Sequence, residues 1–134
     1  MHWALQLMGV AIGGALGGAA RFWLSGLVAR RIGETFPWGT LVVNLSGAFA
    51  IGVLAALLTD RPGHAVLHAS LWTGLVIGVL GSYTTVSSFS LQTLALLRDG
   101  EYARAVGNVA ASLIGCLAAV SAGYLLMLQV WGRG

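Results

Sequence analysis

The chain has 134 residues, of which 8% are charged and 57% apolar, and its mean hydropathy is +0.86. A soluble domain is about 25% charged; seven basic and four acidic side chains cannot coat one. This composition excludes a soluble enzyme, a nucleic-acid-binding module and a disordered segment, and it points to a lipid bilayer as the solvent. The pI near 9.8 is a small arginine surplus that bears on membrane topology rather than on nucleic acid. A single cysteine leaves no disulfide framework and no multi-cysteine metal site.

The charges divide the chain. From His2 to Ala29 only Arg21 is charged, and the stretches 35–59, 62–97 and 105–132 carry none. A helix needs about 20 apolar residues to cross a bilayer. Four transmembrane helices are therefore predicted, near 3–29, 38–58, 66–97 and 103–130, forming one domain over residues 1–134. The connections are short, and Pro62-Gly63 and Asp99-Gly100 are turn chemistry. The first span has no basic n-region and carries Arg21 within its apolar run, unlike a cleaved signal peptide. Trp3, Trp38, Trp72 and Trp131 fall near span ends, where interfacial anchors belong. Arg30, Arg31, Arg98 and Arg104 share one membrane side; Arg61 and Arg133 share the other. That weak bias fits either cytoplasmic 1–2 and 3–4 loops or insertion both ways.

In the first span Gly9, Gly13 and Gly17 recur every fourth residue and lead to Arg21, with Gly14 and Gly18 beside them. Such ridges let helix backbones approach closely. Gly74 and Gly78 repeat the pattern in the third span. Small bundles of this kind leave little room for a pore, so an oligomer is expected. Arg21 would cost about 2.5–3.5 kcal/mol at the centre of a span. It either anchors the helix by snorkelling or pairing, or it attracts an anion.

The second span carries Asn44. The third is too long for one straight crossing, since a helix over 62–97 would run about 54 Å. Its centre, residues 81–90, holds Ser82, Thr84, Thr85, Ser87, Ser88 and Ser90. Hydroxyls beside Gly78 and Gly81 predict a discontinuous helix, which survives at membrane depth only where it is buried or lines a cavity. The alternative is a continuous helix whose hydroxyls bond its own carbonyls. A break frees carbonyls for a cation and half-helix N-termini for an anion. If helix resumes near Thr85, then Thr85, Ser88 and Gln92 share one stripe, and Val86, Phe89 and Ser90 its neighbour. In the fourth span Asn108, Ser112 and Cys116 lie on one face. Each asparagine is either helix–helix glue or part of a polar track. Glu34, Asp60, Asp99 and Glu101 lie in loops or at span edges, which argues against proton-coupled cation export and carboxylate hydrolysis. His64 and His68 read as interfacial. Neutral donors, with the positive ring edge of Phe89, suit a small hydrated anion.

Three segments carry a family resemblance. Residues 13–22 (GGALGGAARF), 39–49 (GTLVVNLSGAF) and 81–90 (GSYTTVSSFS) resemble, in order, the GGxxGAxxRY, GTLxVNxxGxF and GGFTTFSTFS motifs of the Fluc/CrcB family of fluoride channels. The resemblance implies an all-α, four-helix membrane protein with a broken third helix. It implies an antiparallel dual-topology homodimer in a bacterial-type plasma membrane, not an enzyme. It implies passive fluoride export along two pathways lined by both subunits. It also implies a structural sodium ion on the two-fold axis, held by the Gly81 and Thr84 carbonyls. Asn44 matches the family's pore asparagine, Phe89 its second pore phenylalanine, Ser88 the hydroxyl before it and Arg21 its first-span arginine, and all four are expected along the pathway. Tyr83, Thr85, Asn108 and Ser112 complete the expected pathway. The chain departs from the pattern at Val86, which replaces the first pore phenylalanine. Asn108, Gln92 and Cys116 replace a tyrosine, a carboxylate and a serine of relatives. The rival readings are a small dual-topology multidrug or cation exporter and a non-transporting assembly subunit.

Overall fold

The computed structural model describes residues 2–59 and 73–131. The Asp60–Gly63 turn, His64, His68, Trp72 and the start of the third span lie outside the described residues, as does Arg133. Within them the chain is all-helical. Helix α1 spans His2–Ile32 and α2 spans Trp38–Thr59. A π-helical run, α3, covers Thr73–Leu80, and a single turn, α4, follows over Gly81–Tyr83. Helix resumes as α5, Ser87–Arg98, and the chain ends on α6, Tyr102–Trp131. The break in the third span thus falls at residues 84–86, inside the hydroxyl cluster. Helices α1, α2 and α6 are each long and apolar enough to cross a membrane.

Helix ends follow local chemistry. Arg30 and Arg31 occupy the last turn of α1, where cations suit the helix dipole. Gly33 then takes φ +98°, and its N–H donates to the Ala29 carbonyl at 2.9 Å. Helix α5 closes in a Schellman motif: the Glu101 N–H donates to Leu96 O at 2.8 Å and the Gly100 N–H to Leu97 O at 3.2 Å. Gly100 supplies the required left-handed conformation at φ +76°.

Side by side, α1 packs on α3 and α4, α2 lies against α1 and α6, and α5 rests on α6. Glycines allow close backbone approach at these contacts. A Cβ at Gly13 would stand 2.8 Å from the Gly74 carbonyl oxygen, and one at Gly17 would collide with the Val79 carbonyl and Ser82 Oγ. This is the predicted Gly9–Gly13–Gly17 ridge, seated on α3. The neighbouring Gly14 and Gly18 meet nothing within 4 Å in this chain. The α2–α6 contact depends on Gly52 and Gly123, whose added Cβ atoms would strike the carbonyls of Val120 and Phe49. Thr40, Thr85 and Asn108 are buried together with a few aliphatic residues such as Leu41 and Val43. A polar interior costs free energy in a membrane bundle, so such residues mark function or a specific hydrogen bond.

Gly17→Ala should lower the thermal unfolding temperature of the purified protein in detergent. The clash is with backbone and cannot be relieved by a rotamer change, so a cost of about 1–3 kcal/mol is expected. Gly107→Ala, where the nearest heavy atom is Phe36 Cε2 at 3.9 Å, should be neutral or slightly stabilising. Equal melting of the two variants would show that the α1–α3 contact is looser than described.

Candidate functional site

The centre of the site is one side chain closing on the backbone of one residue. Asn44 Nδ2 donates to the Thr85 carbonyl at 2.9 Å, and the Thr85 N–H donates to Asn44 Oδ1 at 2.8 Å. The carboxamide thereby behaves like a neighbouring strand and satisfies both backbone groups of a residue that has left the helix. Asn44 is placed for this by α2, where it follows the buried Val43 on the first turns after Trp38. Gly47, one turn on, lets the break approach: an added Cβ there would strike Thr84 Cγ2 and stand 3.2 Å from Tyr83 Cδ1.

Threonine side chains finish the break. Thr84 Oγ1 donates to the Leu80 carbonyl at 2.9 Å, and the Thr84 N–H reaches the same oxygen at 3.0 Å. Thr85 Oγ1 accepts the Ser88 N–H at 3.2 Å and so caps the first turn of α5. It also donates to Ser88 Oγ at 3.3 Å and lies 3.2 Å from Ser87 Oγ. Some hydroxyls do bond their own helix, as the continuous-helix alternative required: Ser82 Oγ donates to the Gly78 carbonyl at 2.8 Å. The helix is nonetheless broken.

Cavities meet at Thr85. An outer vestibule of about 520 Å³ lies between the 33–37 and 95–99 segments and is lined by Glu34, Phe36, Thr40, Ser88, Gln92 and Asp99, among others. Ser25, Thr40 and Ser88 also line a smaller space of about 220 Å³, with Arg21, Phe22 and Thr85. Thr85 also lines a space of about 340 Å³ with Asn44, Gly81, Thr84, Val86 and Cys116. A largely apolar one of about 520 Å³ adds Phe89, Val109, Ser112 and Leu113. Among these four cavities, only the vestibule is lined by carboxylates, Glu34 and Asp99. The polar and aromatic groups of the inner linings are hydroxyls, the Asn44 amide, the Arg21 guanidinium, the Cys116 thiol and the phenyl rings of Phe22 and Phe89.

The structure brings Asn44, Thr85, Val86, Phe89 and Ser112 to one cavity, and Arg21, Thr85 and Ser88 to another. Arg21 is half-buried and, among the described residues, has no ion-pair partner, whereas Arg104 pairs with Glu101 at 3.2 Å. Asn108 goes elsewhere. It is buried, 2% exposed, and its Nδ2 donates to Thr93 Oγ1 at 2.9 Å, which donates in turn to the Phe89 carbonyl at 2.7 Å. It ties α6 to α5 beneath Phe89. Tyr83 turns toward α2, with its hydroxyl 2.7 Å from Ser46 Oγ.

Sequence reasoning did not single out Thr93, Thr40 or Ser25. Thr93 lies four residues beyond Phe89, a spacing that could have signalled it. Gln92 Oε1 is buried without a hydrogen-bond partner at the vestibule wall. A half-turn of that amide would offer two donors instead.

Comparison with known proteins converges on one group. The family model described as CrcB-like protein, Camphor Resistance (CrcB), matches residues 8–124. The fluoride-specific ion channel FluC 2 of Rhodopseudomonas palustris (strain BisB18) is 63% identical over 119 residues, covering 88% of this chain and 89% of the relative. The fluoride-specific ion channel FluC 2 of Bradyrhizobium diazoefficiens is 56% identical over 120 residues, covering 90% and 87%. The fluoride-specific ion channel FluC of Opitutus terrae is 57% identical over 116 residues, covering 87% of each.

Proposed function

Since this chain belongs to the CrcB family, we propose that it is a fluoride-selective channel, not an enzyme, that passes fluoride down its electrochemical gradient and lowers the cytoplasmic level. The observation that carries the reading is the run of hydrogen-bond donors, free of carboxylates, that meets at Thr85. Fluoride binds water strongly, so a pore must replace its hydration shell with donors in sequence. Arg21 with the hydroxyls of Thr40 and Ser88 offers the first set. The second N–H of Asn44, the one not given to Thr85, and the ring edge of Phe89 offer the next. Each contact is modest, which suits an ion that must also leave. A multidrug or cation exporter would want an acid at membrane depth, and the inner cavities are lined without one.

The working unit is an antiparallel dual-topology homodimer of this four-helix domain, residues 1–134. What supports it is the uncovered break. Val86 is 76% exposed and Gly81 is exposed beside it. Unwound backbone does not face lipid, so protein must cover this face, and a second copy is the simplest cover. The carbonyls of Gly81 and Thr84 fit a hard cation there, since the N–H groups four residues on are bonded to other acceptors. Sodium held by those carbonyls from both copies would neutralise their converging dipoles. A helical multi-pass chain belongs in a bacterial-type plasma membrane, because outer membranes take closed β-barrels.

Reconstituted protein should release fluoride from loaded vesicles, with chloride release far slower. Asn44→Asp, in assembled protein, should cut fluoride flux more than tenfold. A fixed negative charge about 4 Å from the ion costs on the order of 4 kcal/mol at an effective dielectric of 20. Phe89→Ala should reduce flux or selectivity strongly, because Val86 leaves no second ring. Vesicles that release no fluoride would sink the channel reading. Normal flux in both variants would move the pathway away from Thr85.

Topology has its own test. Thr35 is exposed in the α1–α2 connection. Thr35→Cys, made in a Cys116→Ser background, should be labelled by an impermeant thiol reagent from both membrane faces in cells expressing this chain alone. Labelling from one face only would refute dual insertion.

A further inference from the structure

Two side chains strip two carbonyls of their helical donors. In an α-helix the carbonyl of residue i receives the N–H of residue i+4. Gly81 would therefore be served by Thr85, and Thr84 by Ser88. Neither bond forms. The Thr85 N–H goes to Asn44 Oδ1 at 2.8 Å, and the Ser88 N–H goes to Thr85 Oγ1 at 3.2 Å. The Thr84 N–H, the next closest donor to Gly81, returns to the Leu80 carbonyl at 3.0 Å. Gly81, Thr84, Asn44 and Thr85 line one cavity, so the diverted donors and the released acceptors share a single space.

We propose that Asn44 and the Thr85 hydroxyl are positioning residues for the cation site, each holding one carbonyl, Gly81 or Thr84, open by capturing its helical donor. This rests on the sodium-bearing channel reading above. Neither side chain touches the cation. Asn44 acts twice, because its Nδ2 also fixes the Thr85 carbonyl at 2.9 Å and so sets the tilt of the peptide that follows. The pairing couples the anion path to the cation site: the amide that offers a donor to fluoride also keeps the Gly81 carbonyl free. An aspartate at position 44 keeps the acceptor but loses the donor, and alanine loses both.

The test reads sodium binding apart from flux. Thermal unfolding of the detergent-solubilised protein is compared in sodium chloride and in choline chloride at equal ionic strength. Native protein should gain roughly 5 °C or more from saturating sodium. Asn44→Ala should lose most of that gain, and so should Thr85→Val. Thr85→Ser, which retains the hydroxyl, should keep it, a rescue that a purely packing role of Thr85 would not give. An unchanged sodium response in Asn44→Ala would overturn the proposal, as would identical responses in Thr85→Val and Thr85→Ser. If Asn44→Ala does not fold, the Thr85 pair decides. Absence of a sodium response in native protein also overturns it, while the channel reading stands if that protein releases fluoride. Conversely, a sodium response lost in the variants of a protein that releases no fluoride would support the proposal and sink the channel reading.

Discussion

A single carboxamide, Asn44, holding both backbone hydrogen-bonding groups of one residue, Thr85, keeps the third span open. Unwound backbone inside a membrane leaves donors and acceptors that lipid cannot satisfy, each at a cost of several kcal/mol. Asn44 removes that cost at Thr85 by offering an acceptor and a donor at once. Remove it and the cheapest repair is a continuous helix, with the Thr85 N–H returned to Gly81.

The remaining structure serves that contact. Gly47 lets Thr84 and Tyr83 come against α2, and Gly13 and Gly17 seat α1 on the half of the third span that precedes the break. Asn108, through Thr93, secures the half that follows it and fixes the Phe89 carbonyl. One copy still leaves Gly81 and Val86 uncovered. The proposed second copy would close over them.

Much of this was legible in the sequence because membrane physics writes large signals. Charge-free stretches located α1, α2 and α6 to within a few residues, and hydroxyls beside glycines located the break. The glycine ladder of α1 was legible because it repeats; Gly52 and Gly123 each stand outside a repeat, and their contact between α2 and α6 needed coordinates. Asn44 was legible as a polar residue in an apolar span, but not as the partner of Thr85. No periodicity links residues 41 apart. The same limit hid the role of Asn108: its helix face was evident, its acceptor Thr93 was not. Tyr83, expected in the pathway, spends its hydroxyl on Ser46, a choice set by packing against Gly47.

The state of the Gly81 carbonyl reports whether Asn44 has captured the Thr85 N–H. Gly81–Ser82 is the one Gly–Ser pair in the chain, so carbonyl-13C glycine combined with 15N serine selects this carbonyl alone in a solid-state NMR spectrum of the protein in lipid. A carbonyl without its helical hydrogen bond resonates away from the helical range. The account predicts that position for native protein and a move into the helical range for Asn44→Ala, as the Thr85 N–H returns to Gly81. A helical shift in native protein, unchanged by the substitution, would contradict it.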